Sequence, residues 1–266
     1  MSVRLDLLLV NRQLAPSRQR AKGLIEGGYV TVDGRVITKA SQVFDEDCEI
    51  DLTGSDIPFV SRGGLKLQKA FDVFSPDVNG LVCADLGASS GGFTDCLLSH
   101  GAAYVYAVDA GHDQLVPSLK IDPRVCCMEG VNARYLKADD FDKEIDFVCA
   151  DLSFISLSMI FPAIACISTQ LMRAVCLVKP QFEAGRENVG KKGVVKDRKV
   201  HLHVLKNTLM SACAAGFGVR GITYSPVRGP EGNIEYLLYL TTGPDDAVSP
   251  EAIDALVSQS HAELDK

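Results

Sequence analysis

Tryptophan is absent from this chain of 266 residues, aromatic residues make up only 7%, and its apolar stretches are short and interrupted by polar residues. A membrane-spanning helix needs roughly 18 consecutive apolar residues, and no such run occurs. The opening Met-Ser-Val-Arg-Leu-Asp has no basic-then-apolar leader, so a cytoplasmic location is expected and no membrane partner. Basic residues are in deficit: 27 Lys and Arg against 34 Asp and Glu leave a net charge of −7. That excludes a uniformly basic nucleic-acid surface, although a local basic patch stays possible. The nine cysteines form no C-x-x-C pair, and several (Cys83, Cys149, Cys176) lie inside apolar runs. They are expected to be small buried hydrophobes in a reducing compartment, not disulfides or zinc ligands. The five histidines, His201 and His203 included, make no metal-ligand set, so no metal is expected.

The first 52 residues have a character of their own. Apolar residues at Leu5, Leu8 and Leu9 give a helical period from Arg4 to Leu14, which Ala15-Pro16-Ser17 breaks. Ser17 is placed to cap a second helix through Ile25. Tyr29–Val32 and Val36-Ile37 then flank Asp33-Gly34, a strong two-residue hairpin signal. Residues 1–39 carry seven basic side chains (Arg4, Arg12, Arg18, Arg20, Lys22, Arg35, Lys39) against three acids (Asp6, Glu26, Asp33). A basic helix pair on an acidic chain is either a solvated face or a phosphate-contacting surface.

Thr53 to Pro58 has the composition of a linker. Beyond it, apolar strands at 81–85, 104–109, 125–129, 147–150 and 174–178 alternate with helical patterns, clearest at 65–74, 93–98, 155–167 and 196–215. This alternation predicts an α/β fold with a doubly wound, mostly parallel sheet. Two further strands, 219–224 and 234–239, are expected as an antiparallel edge, and Pro250 to Leu264 as a helix. The expected divisions are 1–57, 58–246 and a helical tail at 247–266.

Ala84-Asp-Leu-Gly-Ala-Ser-Ser-Gly-Gly-Phe-Thr94 follows an apolar strand and opens a helix. Glycines there let the backbone approach a ligand at the carboxyl edge of the sheet. A phosphate-binding loop would need Gly-Lys-Ser/Thr, and Gly87, Gly91 and Gly92 do not fit G-x-G-x-x-G. A glycine loop opposite Asp85 suits a ligand with an amino-acid end, such as S-adenosylmethionine. The next strand ends in Asp109, about twenty residues on, where a carboxylate can accept ribose hydroxyls. Asp151 closes the fourth strand and Lys179 the fifth. A Lys closing a buried strand needs a partner, and Asp151 is the obvious one. Taken singly, Lys66 suits a surface position and Glu235 a solvent-facing strand position.

In combination these segments resemble a known family. Residues 1–52 look like the small RNA-binding domain named after a ribosomal protein of the small subunit. Ser61-Arg-Gly-Gly-Leu-Lys66-Leu67, Asp85 to Thr94, Val131-Asn-Ala-Arg-Tyr-Leu136, Asp151-Leu-Ser-Phe-Ile155 and Lys179-Pro-Gln-Phe-Glu183 resemble the TlyA (haemolysin A) family of FtsJ-like ribose 2′-O-methyltransferases. The resemblance implies a Rossmann-like methyltransferase sheet behind a small α+β RNA-binding domain. It implies S-adenosylmethionine as methyl donor and ribosomal RNA, in ribosomal subunits, as acceptor, with cytidine the expected nucleotide. The implied catalytic set is Lys66, Asp151, Lys179 and Glu235. Expected cofactor contacts are Asp85, Gly87, Ala88, Ser89, Gly91, Gly92, Phe93, Thr94, Asp109, Asn132 and Asp151. Expected RNA contacts are Arg4, Arg18, Arg20, Lys22 and Arg62. The competing readings are a base or small-molecule methyltransferase, an RNA-binding regulator with a non-catalytic fold, and a membrane-active haemolysin. The first would be favoured by an Asn-Pro-Pro-Tyr-type motif after the fourth strand, where Asp151-Leu-Ser-Phe stands. The last would need an apolar or amphipathic membrane element.

Overall fold

The computed structural model describes the chain apart from Met1, Gln13, Pro16, Ser17, Gly27, residues 53–57, Pro230, residues 244–247 and residues 265–266; the side chains of Ser2, Gln19, Arg20, Gln170 and Leu171 are likewise outside the description. The expected Ser17 cap and most of the 53–58 linker therefore lie outside the described residues. Two compact units are present, Met1–Arg62 and Gly63–Lys266.

In the first unit β1 (Ser2–Arg4) leads into α1 (Leu5–Asn11), followed by α2 (Arg18–Glu26), β2 (Val30–Val32), β3 (Arg35–Val36), β4 (Val43–Asp45) and β5 (Ile50–Leu52). Helix α1 stops at Asn11, short of the expected Leu14, because the N–H groups of Leu14 and Ala15 both turn back onto the Leu9 carbonyl. The Asp33-Gly34 hairpin forms as expected, with φ of 50° and 74°, the left-handed pair that a two-residue turn requires. Leu5, Leu9, Ala21, Leu24 and Ile25 from the helices bury against Val30 and Val32.

The second unit begins with α3 (Gly63–Phe74). It continues through β6 (Val82–Leu86), α4 (Gly92–Ser99), β7 (Tyr104–Asp109), α5 (Pro117–Lys120), β8 (Val125–Glu129) and β9 (Ile145–Ala150). Then come α6 (Phe161–Ile167), β10 (Ser168–Val178), α7 (Pro180–Glu183), α8 (Arg198–Ala214), β11 (Phe217–Tyr224), β12 (Tyr236–Thr242) and α9 (Pro250–Leu264). The seven strands order as β11-β12-β10-β9-β6-β7-β8. The five from β10 to β8 are mutually parallel, and fully buried segments such as Phe147–Ala150 and Ala174–Cys176 fill the centre, as a sheet covered on both faces demands. The polarity of the order reverses between β6 and β9, and ligands bind at the carboxyl ends of strands flanking such a switch.

The last two strands do form the expected antiparallel edge, with β11 outermost and β12 set between it and β10, antiparallel to both; several other expectations are corrected. Strand β12 starts at Tyr236, so Glu235 precedes it instead of lying within it, and Glu235 is fully buried, not solvent-facing. The expected helix 155–167 is broken into a 3-10 turn at Leu157–Met159 and α6, because Pro162 lacks an N–H and is tolerated only in a first turn. Of the cysteines, Cys83, Cys96, Cys149 and Cys176 are buried, but Cys127, Cys166 and Cys213 are exposed. Helix α9 packs on α8 and β11, with Val257 and Ser260 fully buried. Among the described residues, no helix is long and apolar enough to cross a membrane.

Candidate active site

Four charged side chains meet at the carboxyl edge of the sheet. Asp151 follows β9, and its N–H donates to the Leu86 carbonyl at 2.9 Å, so it stands at the switch point itself. Lys179 follows β10, and Lys66 projects from the first turns of α3. Glu235 arrives from the opposite chain direction: because β12 is antiparallel and pairs Tyr236 with Val178, its beginning lies where β10 ends. Lys179 Nζ is 2.6 Å from Asp151 Oδ1 and donates to Ser153 Oγ at 2.9 Å. Lys66 Nζ is 2.7 Å from Glu235 Oε2 and 3.5 Å from Asp151 Oδ2. The result is an alternating chain, Lys179–Asp151–Lys66–Glu235, with Lys66 and Lys179 each only 8% exposed.

Burial decides the electrostatics. Desolvation pushes the Lys66 ammonium towards neutrality, but Asp151 and Glu235 more than reverse this, and its pKa rises above the ordinary value. Asp151 is the mirror case: burial raises its pKa, Lys66 and Lys179 outweigh that, and the net direction is down. Glu235 Oε1 has no hydrogen-bond donor among the described residues. It lies against Gly229, where a Cβ would come within 2.4 Å of it.

Beside this chain is a cavity of about 200 Å³ lined by Gly87, Asp109, Asn132, Leu152, Ser153 and Phe154, with apolar walls from Val108, Val131 and Ile160. Gly87 has φ +88°, and a Cβ there would lie 2.5 Å from the Asp151 backbone oxygen, so the loop and the end of β9 approach as only glycine permits. Both carboxylate oxygens of Asp109 accept backbone N–H groups at 2.7 Å, from Ser89 and from Gly111, so Asp109 fixes the glycine loop as well as facing the cavity. Asn132 accepts the Arg134 N–H and thereby caps a 3-10 turn at Ala133–Tyr135.

Of the expected cofactor contacts, Gly87, Asp109 and Asn132 line this cavity. Asp85, Phe93 and Thr94 do not, since they are buried beneath the loop. Asp85 is fully buried; it accepts Thr94 Oγ1–H at 2.7 Å, and burial lifts its pKa to about 7. Ala88 is buried, Ser89 is exposed at φ +48°, and Gly91 and Gly92 open α4. Sequence reasoning missed the apolar walls, Ser153 as partner of Lys179, and Phe154 as a site element. Phe154 is 91% exposed, has φ +64°, and lies 5.1 Å from Phe182, ring centre to ring centre. Its exposure and left-handed backbone belong to the folded chain, so the sequence carried no signal that marks it.

In the first unit, Arg4, Arg18 and Lys22 line one cleft of about 560 Å³ together with Asp6, Glu26 and Lys39. Asp6 binds Arg4 through both carboxylate oxygens at 2.9 and 3.0 Å and Arg18 at 3.0 Å. The Arg20 side chain lies outside the described ones, and Arg62 closes this unit.

Residues 59–242 match the FtsJ-like methyltransferase family, and residues 3–49 match the S4 domain. The chain is an FtsJ-like methyltransferase with an S4 domain. It is 42% identical over 261 residues to "16S/23S rRNA (cytidine-2′-O)-methyltransferase TlyA" of Mycobacterium tuberculosis, covering 98% of this chain and 97% of that one. It is 42% identical over 239 residues to "Hemolysin A" of Brachyspira hyodysenteriae, covering 89% and 99%. Among solved structures, "Putative hemolysin from Streptococcus thermophilus" superposes with a TM-score of 0.81 at 42% identity, over 99% of this chain and 97% of that one. The FtsJ-like family places this sheet among methyltransferase folds, in agreement with the expected fold class and enzyme class.

Proposed function

We propose that this enzyme transfers the methyl group of S-adenosylmethionine to the 2′-hydroxyl of a ribose, that of a cytidine, in ribosomal RNA. The observation that carries this reading is the buried Lys179–Asp151–Lys66–Glu235 chain opening beside a glycine-cradled cavity. The cavity fits the donor: it offers apolar walls for a flat base, Asp109 at the usual ribose position, and a backbone turn whose glycine a Cβ would block. When bound, the donor supplies an electrophilic methyl on a sulfonium.

The residues of the chain have the remaining work. A ribose hydroxyl is a weak nucleophile, and positioning contributes most to such a displacement. Lys179, fixed by Asp151 and Ser153, is the group to orient the acceptor oxygen and to relay its proton, passing one to Asp151 as it takes up the hydroxyl proton. Lys66, held charged by two carboxylates, suits a contact to the target nucleotide. Glu235, fully buried, suits the holding of Lys66 in place for that contact. Phe154 offers an exposed ring on which a splayed base can stack. The S4 domain would grip folded RNA by shape and phosphate through Arg4, Arg18 and Lys22.

The test is methyl transfer from labelled S-adenosylmethionine to ribosomal subunits, followed by alkaline hydrolysis. A 2′-O-methyl blocks cleavage at its own phosphodiester, so label is expected in alkali-resistant dinucleotides. Label confined to mononucleotides moves the acceptor to a base and refutes the proposal. Lys179→Ala should lose turnover by about 10²–10⁴-fold, with the affinity for S-adenosylmethionine retained.

A further inference from the structure

We infer that the turn Gly190-Lys191-Lys192-Gly193 is a phosphate-contacting element of the catalytic unit, and that Asn233 is the positioning residue that holds it in register with Glu235. The inference rests on the RNA-methylation reading above and concerns residues to which that reading gives no role.

The turn is closed by hydrogen bonds from Gly193 N–H to Gly190 O at 2.8 Å and from Gly190 N–H to Val194 O at 3.0 Å. Lys191 and Lys192 occupy its two central positions and are exposed. Among the described residues, neither ammonium has a carboxylate partner, unlike Lys66 and Lys179, which are neutralised by acids. On a chain of net charge −7, two adjacent uncompensated cations presented on a tight turn form a local anion-attracting point.

What separates this turn from an ordinary solvated loop is its anchor. Asn233 is fully buried. Its Oδ1 accepts the Val195 N–H at 2.9 Å, its Nδ2 donates to the Gly193 carbonyl at 2.8 Å, and its own carbonyl accepts the Gly229 N–H at 3.0 Å. Burying an amide is costly unless it is hydrogen-bonded, and here its side-chain bonds go to the base of the lysine turn. Two residues later the same loop presents Glu235 to Lys66. A phosphate held by Lys191 and Lys192 would therefore lie at a fixed offset from the catalytic carboxylate. The fitting partner is the sugar–phosphate backbone of the acceptor RNA flanking the target nucleotide, since backbone contacts set register without reading sequence.

The experiment compares wild-type enzyme and Lys191→Glu/Lys192→Glu on ribosomal subunits across a salt series. The expected result is a KM for RNA raised roughly tenfold, and a slope of log(kcat/KM) against log[salt] shallower by about 1–2. kcat and the affinity for S-adenosylmethionine should stay within about twofold of wild type. Adding Asn233→Ala to a Lys191→Ala/Lys192→Ala background should produce a non-additive change in KM, because coupled residues fail additivity. Asn233→Asp, which keeps the acceptor for Val195 and loses the donor to Gly193, serves if the alanine variant does not fold. An active wild type with KM and salt slope unchanged in the charge-reversal variant overturns the phosphate contact alone. Strict additivity overturns the role of Asn233. A wild type that methylates no RNA overturns the underlying reading and this inference with it.

Discussion

Lys66 Nζ stands 2.7 Å from Glu235 Oε2, an ion pair that joins the first helix of the catalytic unit to the start of its last strand. Glu235 is fully buried and Lys66 nearly so. Removing one partner of a buried pair leaves an uncompensated charge and typically costs about 3–5 kcal/mol. Glu235→Gln should fall at the lower end of this range, because Asp151 still faces Lys66 at 3.5 Å. Lys66→Met/Glu235→Leu should regain much of the loss while remaining inactive. Urea unfolding of wild type and the two variants measures this, and a Glu235→Gln enzyme as stable as wild type would refute it.

Asp85 predicts a pH effect of opposite sign to the usual carboxylate. Burial raises its pKa to about 7, with Thr94 and Cys149 hydrogen bonds only partly opposing. The folded state thus holds a proton that the unfolded chain releases near pH 4. Stability should fall as pH rises from about 4 towards 7 and then level off. Asp85→Asn keeps an acceptor for Thr94 Oγ1 and should flatten that decline, raising Tm most above pH 7. Parallel melting curves for wild type and variant would expose a wrong sign.

Gly87 ought to tolerate no side chain. Its φ of +88° is strained for any side chain, and the nearest atom to a Cβ is the rigid backbone carbonyl oxygen of Asp151 at 2.5 Å. Gly87→Ala should cost about 1–3 kcal/mol and weaken S-adenosylmethionine binding by at least roughly tenfold. Gly23, inside α2 with nothing within 4 Å of a Cβ, is the contrast: Gly23→Ala should stabilise by about 0.5–1 kcal/mol. Calorimetric titration and melting of both variants separate the two cases.

Asp6 should matter to RNA binding without touching RNA. The Arg4 hydrogen bond, reinforced by Arg18 against the opposing effect of burial, lowers its pKa to about 2. The stability it contributes is present above the unfolded value near 4 and is lost as pH falls through 2. At neutral pH it therefore keeps both guanidiniums in one cleft. Asp6→Asn should weaken RNA binding and flatten its salt dependence, with S-adenosylmethionine affinity unchanged; equal salt slopes for variant and wild type would exclude this role.

The parallel strands were legible because each is an apolar run bounded by turn residues, and burial on both faces permits little else. The glycine loop was legible because positive φ angles at Gly87 and Gly91 require glycine. Lys66 and Glu235 were different. A lysine early in a helix and a glutamate beside an apolar strand each have an ordinary surface explanation, and only the resemblance to a family joined them. Asn233 gave no signal at all, because an asparagine in a glycine-rich stretch looks like turn chemistry.

The strands, the hairpin at Asp33-Gly34, the glycine turn and the acids and lysine that close the strands can be read from local residue order, because periodicity and allowed φ are local properties. That β12 inserts against β10, that Glu235 thereby reaches Lys66, and that Asp85 is fully buried and outside the cavity lining emerge from packing alone. Strand order and burial are set by which surfaces exclude water together, and that is a property of the whole packed sheet, not of any one segment.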